Sequence, residues 1–295
     1  MLFGEHAVLN GYPALVGAVD QRLSVTLSAQ DDQKIVIDSE LGRYETTLDH
    51  LTPCSPFSFI LAVLEHFKSM LSTGVSLQIK SQFSASVGLG SSSAVTIAAV
   101  GALWQLIHQK PPSAEVLFTN ASQVIRAVQG EASCADIAAS VYGGVVFYQQ
   151  SPLKIEPLRA LPPITLVYSG SKMATPRVIE HVRALQVKDP ALTTKCFTTM
   201  AELTLQAKAA LQVNNWPLLG QLANEHHYCQ QQLTVSNATL DHIQTTLVKS
   251  PDIFGAKISG SGLGDCVLGF GSLTQTFPGT LDVQLSAKGV SYDPA

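Results

Sequence analysis

Charge is what this chain has least of. Only 14% of its 295 residues are Asp, Glu, Lys or Arg, and the formal net charge is −4. No run of Lys or Arg appears, which argues against a nucleic-acid or anionic-membrane surface. Cysteines are few and odd in number (Cys54, Cys134, Cys196, Cys229, Cys266) with no C-x-x-C pair, the usage of free thiols in a reducing cytoplasm rather than a disulfide framework. The first residues lack the basic segment that precedes the apolar stretch of a secretory leader. Apolar runs are short: the longest, near 94–106, is broken by Thr, Gly and Gln and falls below a membrane span. The histidines show no H-E-x-x-H spacing, and the adjacent His226 and His227 face different sides of any helix, so no zinc site is expected. A content of 46% hydrophobic residues excludes a disordered chain and supports one large domain or two smaller ones.

Patterning points to an α+β chain. Residues 22–30 and 34–39 read as strands, 55–71 as a helix opened by Ser55-Pro56, and 75–83 as an alternating strand. The segment after residue 94 is apolar on nearly every side, as a buried helix is, and 113–128 begins another. Strand 143–149 precedes a Pro-rich stretch at 152–163, which is the expected junction between domains 1–155 and 156–295. Beyond it come strand 164–170, helices near 174–186, 193–213, 217–232 and 238–249, and strands 254–260, 265–271 and 281–286. Runs of strands with runs of helices, rather than strict alternation, favour α+β in both halves.

Four segments carry candidate chemistry. The first is "SVGLGSSSA" at 86–94: a strand, Gly-x-Gly, three serines and a buried helix. A glycine loop at a helix N-terminus presents unpaired N–H groups beside the positive end of the helix dipole, where a phosphate fits. Helix capping by Ser91–93 is the plainer alternative. The loop is neither a Walker loop nor a dinucleotide fingerprint: the G-K-[ST] ending is absent, Ser93 replaces the third glycine, and no acidic residue follows for a ribose. The second, "KISGSGLGDC" at 257–266, alternates Gly260, Gly262 and Gly264, which a strand interior excludes unless a ligand or another backbone comes close. The third, "LFGEHAVLNGYPAL" at 2–15, places Glu5 and His6 among apolar residues; the fourth, "GEASCADIAASVYGG" at 130–144, sets Asp136 among small ones.

Together and in this order, the four segments resemble the GHMP kinases, over residues 2 to about 270. The resemblance implies a two-domain α+β fold: an N-terminal ribosomal-S5-like ATP-binding domain and a C-terminal ferredoxin-like domain. It implies ATP and Mg²⁺ as cofactors, with Gly88, Leu89, Gly90, Ser91, Ser92 and Ser93 around the phosphates and Ser92 as the Mg²⁺ contact. Gly260, Ser261 and Gly262 would close over the phosphates, and Asp136 would be the catalytic carboxylate that takes or orients the acceptor proton. Glu5 and His6 match acceptor-pocket positions of the mevalonate kinases within the family, and "GEHAV" and "LTVSNATLDHI" are similar to theirs. "GLGSSSAV" and the Asp265-Cys266 pair are closer to phosphomevalonate kinases, whose phosphorylated acceptor calls for an extra cation: Lys172 first, then Arg177 and Arg126. The expected acceptor is mevalonate, with 5-phosphomevalonate next and a non-catalytic ligand sensor as a further alternative. A cytoplasmic enzyme with no nucleic-acid or membrane partner is expected, and a homodimer is compatible with the family. Two departures stand out. The lysine that precedes the first motif in the family is missing: either the true start lies upstream of Met1, which the otherwise intact site favours, or the protein lacks this charge. Ile125 stands where mevalonate kinases carry a glutamate for Mg²⁺, and Glu131 is the nearby carboxylate in sequence.

Overall fold

The computed structural model describes residues 1–84, 87–274 and 277–292. They form two compact units. The first combines Met1–Asp20 and Gly143–Gly289 with Val87 and Gly88, while the second takes the other described residues between Gln21 and Tyr142, and 290–292. Compactness thus follows a different line from the chain-order boundary at 155/156. The Pro-rich stretch holds a strand, and the first twenty residues fold with the later half of the chain.

The N-terminal segment contributes β1 (Ala14–Gly17) to the first unit. The second unit then contains β2 (Leu23–Ala29), β3 (Lys34–Ser39), β4 (Gly42–Thr47), α1 (Ser58–Phe67), β5 (Val75–Ser81), α2 (Ser91–His108), α3 (Ala114–Gln129) and α4 (Ala135–Tyr142). Its four strands run β2-β5-β3-β4, with β3 and β5 parallel and the outer pairs antiparallel. Ile35 and Ile37 on β3, with Val75, Leu77 and Ile79 on β5, recur every second residue and are buried, so they form the sheet face that meets the core. Ser113 caps α3, accepting from the Val116 N–H at 3.3 Å. The cap expected from Ser55-Pro56 is not used: α1 opens only at Ser58, after Phe57, with no side-chain cap.

The first unit resumes with β6 (Val145–Gln149), β7 (Lys154–Leu158), β8 (Ile164–Tyr168), α5 (Thr175–Lys188), α6 (Pro190–Gln212), α7 (Trp216–Gln232), α8 (Ala238–Lys249), β9 (Ile253–Ser259), β10 (Cys266–Gly271) and β11 (Thr280–Leu281). β1-β6-β7 form one antiparallel sheet and β11-β8-β10-β9 another. Every residue of β10 is buried, so the sheet is covered on both faces. The strand expected over 281–286 is reduced to the two residues of β11 and a single bridge between Val19 and Leu285. Asp189, Asn215 and Asn237 cap α6, α7 and α8 through the N–H groups of Leu192, Leu218 and Leu240. No helix among the described residues is long and apolar enough to cross a membrane.

Helix α7 lies on β9 backbone to backbone. A Cβ added at Gly220 would sit 2.2 Å from the carbonyl carbon of Phe254, and one at Gly255 would sit 1.9 Å from the Gly220 oxygen. Gly220→Ala is therefore expected to cost about 2–3 kcal/mol, because backbone has to move to admit the methyl group. A lowered urea midpoint at unchanged slope is the measurement that checks it.

Candidate active site

In the glycine loop, Gly88 and Gly90 adopt left-handed backbone with φ of 77° and 74°, a conformation that side chains disfavour. Gly90 is the N-cap of α2 and brings no side chain to the first N–H groups. Ser91, Ser92 and Ser93 are the first turn itself, so the capping alternative for them is not the arrangement found. Ser93 is buried, whereas Ser91 and Ser92 are half-buried. The result is an 18-residue helix whose first N–H groups no N-cap side chain satisfies, the local chemistry of an anion site.

Asp136 is the second residue of α4 and is exposed. Its Oδ2 lies 3.8 Å from the point where a Cβ on Gly90 would stand, so this carboxylate borders the loop directly. A cleft of about 690 Å³ opens beside Ser91 and Ser92, walled by Leu23, Phe57, Ile79 and Val95. That volume lies within the range of small-molecule sites. Ile125 is in the core of α3, so that position offers no carboxylate.

In the first unit, the third glycine-rich segment packs on protein. A Cβ at Gly262 would sit 2.4 Å from the Val235 oxygen, one at Gly264 2.8 Å from the Ser171 oxygen, and one at Gly260 2.7 Å from Asp265 Oδ2. The alternation of glycines is thus accounted for by the close approach of neighbouring chain. Ser261 is committed as well: its N–H and hydroxyl both donate to Asp265 Oδ2 at 3.2 Å. Burial pushes the Asp265 carboxyl up, against the opposing pull of Lys172. Asp265 Oδ1 is buried without a hydrogen bond and faces Gly88, where a Cβ would come within 3.0 Å of it. The structure therefore gathers Gly88, Gly260, Ser261 and Asp265. Lys172 is exposed, on the turn that packs against Gly264.

Glu5 and His6 are both buried. Glu5 Oε1 accepts from Lys257 Nζ at 2.5 Å, and Lys257 is fully buried in β9. Burial alone would raise the Glu5 carboxyl, but the ammonium of Lys257 beside it brings it to about 2. His226, also fully buried, accepts from the Gly4 N–H through Nε2 at 3.0 Å; burial lowers its pKa to about 3, and the ring is neutral. His6 donates from Nε2 to the Ser261 carbonyl at 2.8 Å, and burial lowers its pKa too. Sequence reasoning missed Lys257 and His226. The available signal was a lysine inside the apolar run of β9 with an acid, Glu5, inside another apolar run.

Profiles of known families match twice: "GHMP kinases N terminal domain" over residues 58–144 and "GHMP kinases C terminal" over 207–275. A mevalonate kinase from Methanothermobacter thermautotrophicus is 30% identical over 294 residues, spanning 97% of this chain and 90% of that protein. The chain belongs to the GHMP kinase family. This GHMP kinase is also similar to the mevalonate kinase of Pyrococcus abyssi, at 29% identity over 90% of the chain and 84% of that protein. Among solved structures, L. major mevalonate kinase in complex with R-mevalonate superposes with a TM-score of 0.77 at 25% identity, covering 92% of this chain and 85% of that one. The two-domain α+β fold and the small-molecule kinase class follow, and ATP is the phosphoryl donor of the family. The N-terminal profile holds the glycine loop and Asp136, and the C-terminal profile holds Lys257 and the 260–265 turn. Glu5 and His6 lie outside both.

Proposed function

We propose that this GHMP kinase transfers the γ-phosphoryl group of ATP to the primary hydroxyl of mevalonate, giving 5-phosphomevalonate for isoprenoid precursor synthesis in the cytoplasm. The observation that carries the reading is the Asp136 carboxylate beside Gly90, a proton acceptor next to a phosphate-shaped loop. The relatives named mevalonate kinase support this choice of acceptor. Backbone N–H groups of Gly88–Ser93 hold the phosphates, and the cleft beside Ser91 and Ser92 takes the nucleoside. As the acceptor oxygen forms its bond to phosphorus and the bond to ADP breaks, the hydroxyl proton passes to the Asp136 carboxylate. Positioning and charge neutralisation do most of the work in such a transfer.

Mg²⁺ fits this loop, since the half-buried Ser92 hydroxyl is a hard oxygen of the kind it prefers. When bound, it would neutralise charge on the phosphates, with Ser92 holding it. Ser92→Ala is expected to raise the Mg²⁺ concentration for half-maximal rate by about tenfold or more. A Mg²⁺ titration of initial rate checks this, and an unshifted curve removes Ser92 from the metal.

His6 is the proposed acceptor contact of the first unit, with Gly260, Ser261 and Gly262 shaping the wall near Gly88. A second reading, 5-phosphomevalonate as acceptor, draws support from exposed Lys172 beside Asp265. It is the weaker one because the buried cation of the unit, Lys257, is already paired with Glu5. ADP release with Mg·ATP, offered mevalonate, 5-phosphomevalonate, homoserine and galactose in parallel, tests the assignment. Turnover on mevalonate alone supports it, turnover on 5-phosphomevalonate transfers the weight to Lys172, and nucleotide binding without turnover leaves a sensor.

A further inference from the structure

Side chains on alternate residues of a strand share a face. Along β9 and just past its end, residues 257, 259 and 261 each hold a different residue of the N-terminal segment. Lys257 Nζ donates to Glu5, the Ser259 hydroxyl donates to the Met1 carbonyl at 2.8 Å, and the Ser261 carbonyl accepts from His6. The segment is thus fastened to β9 at three points, and the Lys257 link is the ionic one. Among the described residues Lys257 alone donates to the Glu5 carboxylate: His226 Nε2, 3.6 Å from Oε2, already accepts the Gly4 N–H and has no proton to give. Glu5 Oε2 is left without a hydrogen bond. An uncompensated carboxylate at 3% exposure is not sustainable, so the place of Glu5 depends on Lys257.

The next residue is His6, whose φ of 62° is a left-handed conformation unusual for a side chain of its size. Such backbone persists only where its surroundings impose it, and here a tight turn closed by the Ala7 N–H donating to the Glu5 carbonyl at 2.7 Å is held by the Glu5–Lys257 pair and the His6–Ser261 bond. The Ser261 carbonyl can only accept, so His6 Nε2 bears the hydrogen and, in the neutral ring, Nδ1 bears the lone pair. No residue among those described bonds to that Nδ1.

We propose that Lys257 is a positioning residue for acceptor binding: by holding Glu5 against β9 it fixes His6 in one tautomer, with Nδ1 free to accept from the acceptor's second hydroxyl, the one that is not phosphorylated. This deepens the mevalonate reading and rests on it for the identity of the acceptor. Glu5, on this account, works through Lys257 and His6 and does not touch substrate.

The test uses the full chain as wild type, as Lys257→Met, and as the double variant Glu5→Leu/Lys257→Met, which removes both charges. Three readouts are taken: thermal melting, steady-state kinetics, and ¹⁵N NMR of the His6 ring at neutral pH. The expected result for Lys257→Met is a loss of about 30-fold in kcat/KM for mevalonate, as for other groups that act through a ligand-bearing residue. KM for ATP stays within about twofold, a split that global loosening does not produce. The double variant is expected to regain the melting temperature but neither the kinetics nor the single Nε2–H signature of His6. The proposal is overturned if the double variant regains stability and activity together, since the pair would then only fill space. It is equally overturned if Lys257→Met keeps wild-type kcat/KM and an unchanged His6 spectrum, or if the double variant does not fold. Should the wild type ignore mevalonate, the acceptor assignment fails, while the His6 spectra still decide the role of Lys257.

Discussion

Asp136→Asn is expected to lower turnover by about three orders of magnitude, the middle of the range for a positioned general base. Nucleotide affinity should stay within about twofold. The substitution preserves shape and removes only the ability to take a proton. The phosphates are held by backbone N–H groups of the loop, which the amide does not disturb. Stability gives an independent check, because Asp136 is exposed on the first turn of α4. An acid at a helix N-terminus contributes about 0.3–1 kcal/mol through the dipole, so the variant should melt close to the wild type. Isothermal titration with ADP and rapid-quench measurement of the chemical step separate the outcomes. A large drop in melting temperature together with lost nucleotide binding would show that Asp136 supports the fold and is not the proton acceptor.

The second large effect concerns stability. Lys257→Met alone should cost about 3–5 kcal/mol, the penalty of stranding a buried carboxylate, and lower the melting temperature by about 10 °C. Acid should weaken the same cluster. Glu5 is held at about 2 against an ordinary 4.5, so its contribution is complete above 4.5 and is lost as pH falls towards 2. His226 is depressed from 6.5 to about 3, so between those values the unfolded chain binds a proton that the native ring refuses. Both terms make the unfolded state the larger binder of protons, and stability therefore declines as pH drops from about 6.5 to 3. Urea midpoints at pH 7, 5.5 and 4.5 should fall steadily. His226→Gln should flatten the decline above pH 4.5, and an unaltered slope would remove His226 as its source.

The helix that follows the glycine loop was legible because its start depends on local chemistry. Gly-x-Gly before three serines and an apolar run specifies a helix start, whereas the caps Asp189, Asn215 and Asn237 went unread although each is a residue type that caps helices. Glu5 and His6 were legible as polar residues in apolar company, but their use was not. Their partners lie about 250 residues away, and a lysine inside an apolar run signals burial without saying which acid it meets. The glycines at 260–264 show the same limit. Their number signalled a close approach, yet what approaches is Val235, Ser171 and Asp265, all brought there by the tertiary fold. β7 was hidden because Pro157 and its prolines nearby read as a linker, although an outer strand tolerates a missing N–H.

The discontinuity of the first unit has a consequence for biosynthesis. Residues 1–20 leave the ribosome well before their partners: β1 waits for β6, and Glu5 waits for Lys257. The intervening unit draws all its strands and helices from one stretch of chain made well before then, lacking only its closing segment around Tyr292, and can begin to fold while synthesis continues. Closing so long a loop is slow but costs little more entropy than closing a short one, particularly once its interior has already compacted. Until translation passes Lys257, an emerging chain therefore carries an apolar N-terminal segment with an unneutralised acid in it, a natural client for a chaperone. A pulse-labelled nascent chain should gain protease resistance in two steps, the inserted unit first and Met1–Asp20 last.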